Sequence, residues 1–107
     1  MSKYIYAAVF LGAIANDVYA IGNMHSVKIK SIFVRESRVD IYLENPHNNP
    51  TACSNATELV ILANEFENST FMYTAALAAH MAQRPITGYI ADCHDNRAKL
   101  SAISIDQ

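Results

Sequence analysis

A mostly β domain with one central helix, in the order β-β-β-α-β-β, is predicted from three features of this 107-residue sequence. Short segments before residue 65 and after residue 85 place apolar residues at the two-residue period of a strand or in short apolar runs. Between them Asn68 to Gln83 (NSTFMYTAALAAHMAQ) is Ala-rich and free of Gly, Pro and acidic or basic side chains other than His80, which is helix composition. Polar clusters at Glu36–Arg38, Asn45–Asn55 and Cys93–Arg97 separate the segments as turns or loops.

The N-terminus stands apart from this pattern. Lys3 supplies a positive charge, Tyr4 to Ala15 (YIYAAVFLGAIA) is apolar, and Val18-Tyr19-Ala20 has the small-x-small form of a cleavage site. These predict a cleaved secretory signal over residues 1–20 and a single domain over 21–107. The apolar run is shorter than the ~20 residues a spanning helix needs, so no membrane span is expected once the signal is gone. The plainer reading is a buried N-terminal helix.

Within the domain, Val27 to Arg35 (VKIKSIFVR) begins in clean alternation and slips phase after Ser31, which suggests a bulge or burial on both faces. Val39 to Glu44 alternates, with Val39, Ile41 and Leu43 on one face and Asp40, Tyr42 and Glu44 on the other, so the two segments form a hairpin. Asn45 to Asn55 (NPHNNPTACSN) is a long polar loop. Glu58 to Asn64 is a third strand, apolar through its middle. The helix follows, with Asn68, Ser69 or Thr70 able to cap its start and Arg84-Pro85 ending it. Ile86 to Asp92 and Lys99 to Ile105 are the last two strands. Strands in this order, with the helix between the third and fourth, match the OB-fold, a small five-stranded barrel.

The helix is apolar on two sides. Met72, Tyr73, Ala76, Leu77 and Ala79 form a stripe that can cover the sheet, while Phe71, Ala75, Ala78 and Ala82 lie opposite. A helix apolar all round should be covered twice, and this second face is the expected oligomer interface.

Charge and cysteine usage bound the function. The net charge of −2 gives no attraction to phosphate backbones, so nucleic acid is disfavoured, and the cluster Lys28, Lys30, Arg35 and Arg38 reads as a solvated strand face. Two cysteines, Cys53 and Cys93, in a small exported chain read as one disulfide. The rival is a metal site, since His94 follows Cys93, but no Cys-x-x-Cys or His-x-x-x-His pair supports it. No metal and no cofactor is expected.

Asn49-Pro50-Thr51-Ala52-Cys53-Ser54, the Ala-rich helix, and Pro85-Ile86-Thr87-Gly88-Tyr89-Ile90-Ala91-Asp92-Cys93 together resemble small exported bacterial proteins. These are similar in architecture to the B subunits of AB5 toxins, the subtilase cytotoxin B subunit especially. The resemblance implies a periplasmic or secreted OB-fold that forms a homo-oligomer, a five-membered ring in those toxins, and binds a glycan or protein partner. No sugar-contacting residue carries over from it.

Sugar recognition needs planar polar groups for hydroxyls and an aromatic face for the ring. Tyr42, Asn45, His47, Asn48 and Asn49 supply both types around the loop after the second strand. The plainer reading is a turn-rich loop whose Asn side chains bond their own backbone. For catalysis, His25, His47, His80 and His94 are scattered, and no nucleophile elbow or paired carboxylates accompany them. A non-enzymatic binding protein is therefore the expectation. The alternatives are a periplasmic structural or inhibitor-like protein and, more remotely, a metal-dependent hydrolase. The sequons at Asn55 and Asn68 read as turns or caps.

Overall fold

A computed structural model describes residues 22–107, and the expected signal over residues 1–20 lies outside them. Six strands and one helix follow in order: β1 Gly22–Val27, β2 Ile29–Val34, β3 Arg38–Leu43, β4 Asn55–Leu62, α1 Ser69–Ala82, β5 Ile86–His94 and β6 Arg97–Ile105. The domain is thus mostly β with one helix, and its strands form a single curled, mixed sheet in the order β1-β5-β6-β4-β3-β2. The β4–β6 pair is parallel and the others are antiparallel.

The count of six, against five expected, comes from the start of the domain. The first strand was placed at Val27 to Arg35, but strand structure begins at Gly22 and the chain changes neighbours at Lys28. Before Lys28 it pairs with β5, and after it with β3. The Lys28 carbonyl accepts a hydrogen bond from Glu44 N at 2.9 Å, which fixes the corner. The phase slip after Ser31 has its counterpart just upstream, where the β2–β3 register shifts between Ile29 and Ser31. Burial on both faces does not occur, because Phe33 and Val34 are exposed.

The concave side of the sheet carries the core. Ile41, Leu59, Ile86, Ile90 and Leu100 are fully enclosed, and Met72, Ala76 and Ala79 from α1 pack down on them. Each enclosed Ile or Leu contributes about 1.5–3 kcal/mol relative to exposure. Gly88 lies where β5, β6 and β1 crowd together. A Cβ there would meet Leu100 Cδ2 at 2.6 Å and the Ala102 carbonyl at 2.9 Å, so no larger side chain fits without a shift.

The helix begins differently from the simple cap expected. Asn68 is the cap residue but makes no capping bond, and its amide donates instead to the Ser101 carbonyl at 3.1 Å. Ser69 Oγ is buried between the end of β4 and the turn that follows it: it accepts from Phe66 N at 3.2 Å and donates to the Leu62 carbonyl at 3.0 Å. At the other end Gln83 turns into the left-handed region (φ 57°), and Arg84 N donates to the Ala79 carbonyl at 2.9 Å. The inward stripe is Met72, Ala76 and Ala79, with Tyr73 half-buried, whereas Leu77 is exposed. Pro85 then leads directly into β5.

Cys53 and Cys93 form a disulfide that links the loop before β4 to the end of β5, across 40 residues of chain. Both sulfurs being bonded closes the alternative of a Cys93–His94 metal pair. By loop-closure entropy a 40-residue loop gives about 4 kcal/mol of stabilisation. Replacing both cysteines with alanine is expected to lower the unfolding free energy by roughly this amount. Urea titration followed by circular dichroism measures it, and an unchanged midpoint would show the bridge to be dispensable.

Candidate binding cleft

The head of α1 meets the tip of the β2–β3 hairpin and the end of β4, and a cleft of about 230 Å³ lies between them. Val39 and Ile61 give it apolar walls, Tyr73 supplies an aromatic side, and Arg35, Glu36, Asn64 and Thr70 line the rest. Asn64 occupies the left-handed region (φ 62°), as the turn after β4 requires. The hairpin tip is held against that turn by Ala63 N donating to the Ser37 carbonyl at 3.0 Å. A more open hollow of about 540 Å³ lies on the other side of the same tip and reaches His94.

An ion network on the convex side of the sheet holds the tip in place. Asp40 is fully buried on that side. Its carboxylate accepts from Arg35 Nε at 2.6 Å and lies 3.0 Å from Arg38 Nε, close enough to pair though not aligned as a hydrogen bond. Arg38 also donates to Asp95 at 3.1 Å, and this bond, with the charge behind it, holds the Asp95 carboxyl below the usual carboxylate range. Arg97 donates to Glu58 at 2.6 Å, and Lys99 pairs with Glu65 at 3.0 Å and Asp92 at 3.2 Å. Arg35 lies over the Phe33 ring, 4.7 Å from its centroid. A buried carboxylate with two guanidinium partners is tolerable because each oxygen faces a positive charge.

The residues singled out from the sequence fall in different places. Tyr42 sits half-buried on the convex face, opposite Glu58 on β4. Asn45 is exposed and lines a separate hollow of about 600 Å³ with His25, Glu44 and Pro85. Asn48 accepts from His25 N at 2.6 Å and donates to the Asn23 carbonyl at 3.1 Å, so its amide is bound to β1. Asn49 binds both backbone groups of Cys53, at 2.9 and 2.7 Å. His47 is buried at 5% exposure, with Nδ1 accepting from Asn49 N at 2.8 Å. Asn48, Asn49 and His47 therefore bond the protein's own backbone, and the five residues do not converge on one cavity.

On α1, Phe71 is 77% exposed, Ala78 and Ala82 are exposed and Ala75 is half-buried, so no strand among the described residues covers this face. Met81, at 75%, adds to it. The sequon residue Asn55 accepts from Thr57 N at 2.9 Å, which is a turn, as read from the sequence. His80 Nδ1 lies 3.2 Å from the Ile29 carbonyl, and among the described residues no histidine hydrogen-bonds a carboxylate or hydroxyl. Sequence reading missed the cleft because Tyr73 looked like part of the inward stripe. The meeting of α1 with the hairpin tip has no local signature.

No protein-family model matches the chain, and no curated protein or solved structure matches it. Among the described residues no helix is long and apolar enough to cross a membrane.

His47 makes a pH prediction. Burial pushes its imidazole below the ordinary value of 6.5, and Nδ1 already accepts a hydrogen bond from Asn49 N–H, so a ring charged by protonation at Nδ1 loses that bond. The unfolded chain then binds more protons just below pH 6.5 than the folded one. Stability is expected to be complete above that pH and to decline as pH falls through the depressed folded value. His47→Gln should flatten this part of the profile, read as urea midpoints between pH 7.5 and 5. Parallel profiles for the two proteins would remove His47 as the cause.

Proposed function

We propose that the protein is a non-enzymatic, exported binding module that holds a hydroxyl-bearing ring, such as one sugar unit of a glycan, in the cleft at the head of α1. The observation that carries the reading is the cleft's composition. One aromatic side chain, Tyr73, stands beside Arg35, Glu36, Asn64 and Thr70 in a space of sugar size. That combination pairs the apolar face of a sugar ring with the planar polar groups its hydroxyls need.

The finer fold reading that accompanies this is a five-stranded OB-type barrel. It is supported by treating β1 and β2 as one strand bent at Lys28, which leaves the order 1-4-5-3-2-1 around the sheet. Export is supported by the disulfide, which persists in oxidising compartments. Self-association is supported by the uncovered face of α1, for which a further copy of the chain is the proposed cover. Resemblance to AB5 toxin B subunits would make that assembly a five-membered ring. A second reading, a structural or inhibitor-like protein without a small ligand, draws on the loop residues Asn48, Asn49 and His47 being bound to backbone.

The expected result on a broad glycan array is selective binding that Tyr73→Ala and the exposed Glu36→Ala each weaken by about tenfold, some 1.4 kcal/mol. Asn45→Ala should bind like the parent. Silence across the array, or loss only in Asn45→Ala, would overturn the cleft as the site.

A further inference from the structure

The two ends of the sheet are treated differently. The outer edge of β1 is blocked, because the Asn48 amide bonds the Asn23 carbonyl and His25 N as a neighbouring strand would. On β2 the matching edge is open. Arg35 N donates to the Arg38 carbonyl, and the register pairs Phe33 with Asp40, so Phe33 and Arg35 bond towards β3. By alternation the backbone groups of Ile32 and Val34 point away from β3, and no other strand among the described residues pairs with them. This edge carries no proline; its one charge, Lys30, lies at the irregularity between Ile29 and Ser31, and beyond it Phe33 is 51% and Val34 58% exposed.

We propose that a second copy of this chain adds its own β2 to this edge, antiparallel, about a twofold axis through Phe33. The inference rests on the proposed self-association but places its seam at β2 and not on the outer face of α1. With the axis at Phe33, Ile32 of each copy faces Val34 of the other. These are the residues whose groups point outward, so four main-chain hydrogen bonds close the seam. Phe33 meets Phe33 of the second copy as a non-hydrogen-bonded pair, where side chains come closest. Continued past the end of β2, the same register brings Lys30 of each copy towards Glu36 at the tip of the other's hairpin, giving two pairs of opposite charge. The register also sets the second copy's Lys30 at the mouth of the cleft, beside Glu36.

Apolar side chains flank this edge on both faces of the sheet. The helix runs along β2, with Tyr73 beside Val34 and His80 beside Ile29, and Leu77 lies on that flank between them. Phe33, opposite Asp40, is exposed on the convex face, and Val34, opposite Val39, and Leu77 are exposed on the helix side, so the edge is apolar on both faces of the sheet. The axis is normal to the sheet, so both helices stay on one side of the joined sheet. An isologous twofold closes the assembly and leaves no further β2 edge free.

The exported full-length protein is measured by light scattering at several concentrations, with amide exchange of Ile32 and Val34. A twofold mass with both amides protected is expected. Val34→Pro, which removes an outward N–H, and Phe33→Lys should each give a folded monomer. Lys30→Glu should weaken the dimer at least tenfold and Lys30→Glu with Glu36→Lys should restore it, which keeps the test valid if Val34→Pro fails to fold. A dimer that survives Phe33→Lys and Lys30→Glu but dissociates on Phe71→Lys would overturn the β2 seam and leave self-association standing. A fivefold mass would overturn the twofold alone. A parent protein that stays monomeric would overturn both proposals.

Discussion

The chain turns from one end of the sheet to the other at a single residue. β1 and β2 occupy opposite ends of the hydrogen-bonded order, yet only Lys28 separates them in sequence. Consecutive Cα atoms lie 3.8 Å apart, so six strands can satisfy this connection only by curling until the two ends meet. The curl defines a concave side, and that side is the core. It leaves an opening that α1 covers with Met72, Ala76 and Ala79, and it forces the crowding at Gly88. The disulfide acts on the same closure from outside, tying the loop before β4 to the end of β5. That loop in turn packs on β1, where Pro50 lies so close to Gly22 that a Cβ there would meet it at 2.8 Å.

The convex side is held by charge instead. Asp40 would be an expensive burial on its own, but Arg35 and Arg38 face its two oxygens. Arg38 passes the connection on to Asp95, beyond the end of β5, and Arg97 links Asp95 to Glu58. The network spans the strands β3, β4 and β6 and the hairpin tip, so it positions the cleft wall formed by Arg35 and Glu36. Most of its members are partly solvated, and exposed pairs contribute little each. Its effect is on geometry: the tip cannot swing away from α1 without leaving Asp40 buried and unpaired.

Much of this was legible in the sequence, and the residues show why some was not. Alternation at Val39, Ile41 and Leu43 and the uninterrupted composition of Asn68 to Gln83 located β3 and α1 to within one residue at each end. The two cysteines, the only pair available, gave the disulfide. The strand at Gly22 was hidden because GNMHSV has neither clean alternation nor β-branched content until Val27, and its pairing with β5 is remote in sequence. Asp40 read as an outward residue and is outward, but two arginines bury it, a tertiary fact with no period. The polar loop had the composition of a sugar site. Composition cannot tell an Asn offered to a ligand from one bonded to its own backbone, and Asn48 and Asn49 are the latter.

The position of Asn48 explains more than the loop. A sheet closed through one bent strand still presents two strand edges, each a row of unpaired amides and carbonyls. A side-chain amide has one donor and one acceptor in the same plane, the same pair a neighbouring peptide would offer. Asn48 uses both on β1, so that edge cannot recruit a strand without first losing the loop, and the loop is anchored by Asn49 and the disulfide. No side chain among the described residues bonds the outward backbone groups of Ile32 and Val34 in this way, and Phe33 and Val34 beside them are exposed between the charged Lys30 and Arg35. An edge left open by neglect would show no such contrast with its opposite number. The asymmetry is local: one edge is capped by a side-chain amide, and the other leaves the backbone groups of Ile32 and Val34 unbonded among the described residues.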